Sequence, residues 1–150
     1  MSALVLFRRD DAAQAAAASA LTLVDLGVDP RARGSDRAPR LLGFAATAAA
    51  TAEAPDPDTW TPKQLSFSGL ARAEVAREVL AQAYDLIVNL CPGAFPPFDF
   101  LCAGATAHLR AARHDGALHA YDLVIGAGDL GGFTRELRAY LRALNPHPHG

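Results

Sequence analysis

Apolar positions along the chain follow two rhythms, one of short unbroken runs and one with helical spacing. Ala3 to Phe7 is an unbroken run stopped at once by Arg8, Arg9, Asp10 and Asp11, the pattern of a first strand buried in a sheet. Asp10 or Asp11 is placed to cap a helix, and the alanine-rich stretch to Leu26 has high helix propensity, with Gly27, Asp29 and Pro30 as its stop. Alanine buries little area, so this helix is expected to be weakly anchored. Residues 30–40 scatter Arg31, Arg33, Arg37 and Arg40 among Gly34, Ser35 and Pro39 and read as an exposed loop. Leu41 to Phe44 gives a second strand. Residues 50–62, with Pro55, Pro57 and Pro62, read as a long irregular connection.

The second half is patterned more strongly. From Gly69 onward, Val75, Val79 and Ala83 share one face while Arg72, Glu74, Arg77, Glu78 and Gln82 stay polar, which predicts a helix lying on a sheet. Tyr84 to Leu90 is continuous enough in aliphatics for a parallel strand buried on both faces, ended by Pro92 and Gly93. Phe95 to Ala107 predicts a short helix opened by Pro96 and Pro97, and Ala107 to Arg113 a brief strand. Tyr121 to Ile125 is the next buried strand. The closing helix lines up Phe133, Leu137, Tyr140, Leu141 and Leu144, stops at Asn145 and Pro146, and leaves residues 146–150 as a frayed tail.

This alternation predicts a single α/β domain over residues 1–150. The expected form is a three-layer Rossmann-like domain with a mostly parallel sheet of about five to six strands and helices on both faces. Tyr-Asp-Leu followed by two β-branched residues occurs at 84–88 and again at 121–125. Each Asp is expected to meet solvent while the aliphatics enter the core.

With 51% apolar residues the chain can bury such a core without disulfides or metals. Fourteen basic against 16 acidic residues give a net charge of -2, which supplies no field for nucleic acid or an anionic membrane. No apolar run approaches the ~18 to 20 residues that span a bilayer, and the first residues lack the order of a signal peptide. Thirteen of the 14 basic residues are arginine; beside so much alanine, glycine and proline this is the bias of a GC-rich genome. Cys91 and Cys102 are too few for a disulfide framework, which points to a reducing, cytoplasmic compartment.

Two places carry candidate chemistry. Gly126, Gly128 and Gly131 form a G-x-G-x-x-G after a strand and before a helix, where glycines let backbone amides approach a phosphate. A dinucleotide site would also need a following strand with an acidic residue about 20 positions on. None follows here, and Asp129 within the motif would repel phosphate, so a tight strand-to-helix turn is the expectation and no cofactor is implied. Asn89 and Cys91 lie at the carboxyl end of a parallel strand, where open α/β sheets place ligands. A catalytic Cys91 would need a base to lower its pKa, and only a histidine brought close by the fold, such as His108 or His114, could supply one. The histidine and cysteine spacings match no metal site, and Asp85, Asp99, Asp115 and Asp122 could pair only through the fold.

Three segments, Thr61 to Gly69, Tyr84 to Leu90, and Tyr121 to Ile125 with the final helix, resemble in order an uncharacterised family of small bacterial proteins. That domain-of-unknown-function family occurs mainly in Bacteroidota, and the likeness covers roughly residues 40–145. It implies a Rossmann-like fold, no assigned activity, and no glycine-rich turn after the last strand. Asp85 to Leu90 also looks like a strand from the acceptor-side half of heptosyltransferase-like glycosyltransferases, which implies fold kinship because those enzymes use two such halves. The expectation is a non-catalytic module that binds a ligand or partner in a crevice near Asn89, Cys91 and Gly126. The alternatives are a small enzyme or a nucleotide- or nucleotide-sugar-binding half-domain using the Gly126 to Gly131 turn, and a homo-oligomer formed through the alanine-rich helix.

Overall fold

The structure is a computed structural model, and it describes residues 2–20, 39–46, 59–116, 118–126 and 128–144. Its strands are β1 (Ala3–Arg8), β2 (Arg40–Phe44), β3 (Thr59–Trp60), β4 (Tyr84–Asn89), β5 (Ala107–Ala112) and β6 (Leu123–Val124). They make one sheet in the order β3-β2-β1-β4-β5-β6, with every pairing parallel. Four helices accompany it: α1 (Ala12–Ala20), α2 (Ala73–Leu80), α3 (Pro96–Gly104) and α4 (Leu130–Leu144). The α/β, Rossmann-like expectation is met.

The unbroken apolar runs of β1 and β4 follow from burial on both faces. Side chains alternate along a strand, so Leu4 and Leu6 of β1 join Val79 of α2 and Phe98, Leu101 and Cys102 of α3 in one core. Ala3, Val5 and Phe7 point the other way and pack with Ala18 of α1 and Phe133, Leu137 and Leu141 of α4. Each large side chain fully removed from water contributes about 1.5–3 kcal/mol, and Leu4, Leu6, Ile87, Phe98 and Phe133 all lie at 1% exposure or less. The two layers therefore grip the same central strands from opposite sides.

Local differences from the sequence pattern have identifiable causes. Within the 50–62 segment, Thr59 and Trp60 pair with Gly43 and Phe44 as a two-residue edge strand, and Trp60 is buried. Helix α2 starts at Ala73 rather than near Gly69, because Gly69 sits at φ +84 in a turn closed by a Leu65–Ala71 bridge. The end of the alanine-rich stretch and the arginine loop up to residue 38 lie outside the described residues, as do 47–58 and 145–150.

The repeated Tyr-Asp phrase anchors both strands alike, but Tyr121 to Ile125 is not the buried strand expected. Strand β6 is the two residues Leu123–Val124 at the sheet edge, where one side has no neighbouring strand to cover it, and Val124 is exposed. Tyr84 and Tyr121 are buried, with hydroxyls donating to the Val79 carbonyl and the Asp99 carboxylate. Asp85 accepts from the backbone N–H of Ser2 at 2.8 Å, and Asp122 from that of Arg110 at 2.9 Å. Each Asp therefore ties its strand to the neighbouring one while remaining partly in solvent.

Because all strands point the same way, the carboxyl ends of β1 and β4 lie side by side. From there the chain leaves in opposite directions, β1 leading toward β2 and β4 toward β5. Such a reversal of strand order opens a crevice above the sheet. The β5–β6 connection has no helix among its described residues, and it carries His114 and Tyr121 beneath that crevice.

Candidate functional site

A cleft of about 410 Å³ occupies this switch point. One wall is the turn from β1 into α1, with Arg8, Asp10, Asp11 and Gln14; the other is the segment after β4, from Cys91 to Phe95. Arg8 stands with its guanidinium carbon 4.8 Å from the Phe95 ring centre and 5.2 Å from that of Phe44. Its Nε and Nη2 donate to the two oxygens of Asp10 at 3.1 and 2.9 Å. Two aromatic rings on one side and a carboxylate on one edge fix the orientation of this cation.

The first wall is further locked by Gln14, a buried polar residue. Gln14 Oε1 accepts from the Arg8 backbone N–H at 2.8 Å, and its Nε2 donates to Asp11 Oδ2 at 3.1 Å. Asp11 is the helix cap: its Oδ1 accepts from the backbone N–H groups of Ala13 and Gln14. These are the amides that a phosphate would need at this helix terminus.

The second wall is held from below by four side chains that contact its backbone, Asn89, Asp99, Arg113 and His114, with Tyr121 linking two of them. Asn89, fully buried, accepts from the Cys91 N–H at 3.0 Å through Oδ1 and donates through Nδ2 to the Tyr121 hydroxyl at 2.7 Å. Tyr121 in turn donates to Asp99 Oδ1 at 2.5 Å, while Asp99 Oδ2 accepts from the Phe95 N–H at 2.9 Å. Arg113 donates to the Leu90 carbonyl at 3.1 Å, and His114 Nδ1 lies 3.3 Å from the carbonyl of Cys91. His114 Nε2 is 3.3 Å from Asp99 Oδ1, an ion-pair distance without hydrogen-bond alignment. The loop is thus fastened through its backbone at Leu90, Cys91 and Phe95.

A cysteine, a histidine and a carboxylate therefore meet here, but not as an activated nucleophile. The imidazole contact made by Cys91 is through its carbonyl oxygen. Burial pushes the Cys91 thiol up from its ordinary 9.0 to about 12, with Arg8 opposing and Asp99 reinforcing the shift. Burial likewise raises Cys102 to about 12 and lifts the Tyr121 hydroxyl well above its usual range.

The Gly126 to Gly131 turn sits elsewhere, following β6 at the edge of the sheet, two strands away from β4. Among the described glycines a left-handed backbone occurs at Gly69 and Gly116, and a Cβ at Gly126 or Gly128 would meet no atom within 4 Å. Asp129 caps α4 by accepting from the Gly132 N–H at 2.7 Å. Among the described residues no group of three or more His, Cys, Asp or Glu is placed to hold a metal ion, and no helix is long and apolar enough to cross a membrane.

Asn89 and Cys91 are thus brought to one place, Cys91 in the wall and Asn89 beneath it, while Gly126, Gly128 and Gly131 lie apart. Sequence reasoning did not single out Arg8, Gln14, Asp99 or Tyr121 as a set. The available signal was the abrupt charge cluster at the carboxyl end of the first strand.

A family model described as a family of unknown function, DUF6913, matches residues 35–144. The chain belongs to DUF6913. The DUF6913 match spans β2 to β6 and α2 to α4, and with them the Cys91 to Phe95 wall and the polar cluster under it. The Arg8 to Gln14 wall comes from residues before the matched stretch. No curated protein and no solved structure matches this DUF6913 chain.

Proposed function

We propose that this chain is a non-catalytic binding module whose switch-point crevice takes a small ligand lacking phosphate. One observation carries the proposal: the helix N-termini beside the crevice are already closed to anions. Asp11 occupies the first amides of α1. Helix α3 begins with Pro96 and Pro97, which have no N–H, while Phe98 and Asp99 donate to the Phe95 carbonyl. A phosphate would find acidic side chains where phosphate-binding α/β proteins present bare amides.

The non-catalytic part is supported by Cys91, which keeps its proton, and by His114 and Asp99, which are engaged in holding the loop. Within this reading Cys91 is a ligand contact, and Asn89 shapes the wall from beneath. Gly126, Gly128 and Gly131 remain a turn whose helix terminus carries its own carboxylate. Two buried, unbridged cysteines support a cytoplasmic setting, and the strand resemblance supports a bacterial source.

Thermal-shift screening tests the proposal. Nucleoside triphosphates, nucleotide sugars and inorganic phosphate at millimolar concentration are expected to leave the melting temperature unchanged. Saturable stabilisation by any of them would overturn the exclusion of phosphate.

A further inference from the structure

The crevice carries a second level of chemical detail in the Arg8–Asp10 pair. Phe44 and Phe95, whose ring centres are 5.0 Å apart, lie together on one side of the Arg8 guanidinium and leave its polar edges uncovered for recognition. The Nε/Nη2 edge is taken by Asp10, whereas none of the hydrogen bonds among the described residues uses Nη1. Arg8 and Asp10 keep 30% and 33% of their side-chain surface exposed, and both line the cleft. Each Asp10 oxygen accepts one bond from Arg8, which leaves each a further lone pair.

The pair is electrically neutral as it stands. A purely anionic ligand meeting Nη1 also faces Asp10, and a purely cationic ligand meeting Asp10 also faces Arg8. A ligand with both charges close together satisfies both partners, its carboxylate on the open Nη1–Nη2 edge and its ammonium on Asp10. Cys91, Pro92, Ala94 and Phe95 provide the opposite, largely apolar wall for a side chain. The volume, about 410 Å³, falls within the ~300–1,000 Å³ typical of small-molecule sites.

We propose that the crevice binds a zwitterionic α-amino acid, with Arg8 receiving its carboxylate, Asp10 its ammonium, and the Cys91–Phe95 wall its side chain. This rests on the crevice being the binding site. Gln14 and the two phenylalanines are positioning residues, since they hold the Arg8 backbone and guanidinium without being needed to touch the ligand's charges.

The test is an amide chemical-shift titration of the whole chain with the twenty proteinogenic amino acids. The best binder is then compared with its N-acetyl and carboxamide forms. The expected result is saturable movement of the amides of residues 8–14 and 91–95, with both blocked forms weaker by about tenfold or more, the scale of one charge-assisted contact. Arg8→Gln, which removes the positive charge, is expected to erase the preference for the free acid over the carboxamide. If the variant does not fold, the comparison of free and blocked ligands on the native chain decides alone. Equal binding of either blocked form, or no binding by any of the twenty, overturns the amino-acid proposal and leaves the crevice reading standing if other small molecules move the same amides. If ligands bind only elsewhere, both fall.

Discussion

Cys91 stands in the wall of the crevice with its thiol held protonated, and the cause is desolvation that outweighs the nearby arginines. In the native protein at pH 8, Cys91 and Cys102 are expected to stay silent toward a chromogenic disulfide reagent and to react together once the chain is denatured. Fast native labelling of Cys91 would contradict its protonated, loop-wall role. Tyr121 is the other decisive residue, because its hydroxyl joins the Asn89 donor to the Asp99 carboxylate inside the protein. Tyr121→Phe leaves both without that partner and is expected to cost about 1–3 kcal/mol by urea denaturation. At this scale the sequence showed Asn89 and Cys91 through their position at a strand end. It could not show Tyr121 or Asp99 as partners, because their contact bridges 22 residues and depends on how the β5–β6 connection crosses below the crevice.

Elements were legible in proportion to how much periodic surface they bury. Strands β1 and β4 and helices α3 and α4 read clearly, since both faces of a central strand, or one full face of a helix, must be apolar. Strand β3 did not, because two residues carry no period, and prolines around it dominate the local pattern. The β1–β2 contact hides another requirement. A Cβ at Gly43 would lie 2.5 Å from Arg9 Cγ and 2.8 Å from Phe7 Cζ, so the arginine stem and a core ring occupy its place. Gly43→Ala is expected to destabilise the fold by about 1–3 kcal/mol, measurable as a lowered denaturation midpoint. An unchanged midpoint would mean that Arg9 does not lie across β2.

At the scale of the whole molecule, the same buried groups set a pH dependence. The folded state holds the protons of Cys91 and Cys102 up to about 12 against an ordinary 9.0, and Tyr121 above its ordinary value as well. Groups with raised pKa favour the fold fully below the unfolded value and lose that contribution as pH climbs toward the folded one. Stability is therefore expected to fall between pH 9 and 12, by up to about 1.4 kcal/mol per pH unit for each thiol. A flat denaturation midpoint across that window would contradict the burial of both thiols. The sheet order itself was only partly legible, since the alternation of elements fixes a parallel α/β class but not which two strands lie at the switch point.

Whether ligands enter the protein at that switch point is read out by amide chemical-shift mapping with a small-fragment library. Saturable hits are expected to cluster on residues 8–14 and 91–95, on the two walls built by Arg8, Gln14 and Cys91. A cluster at residues 126–132 instead, with the crevice amides unmoved, would contradict entry at the switch point.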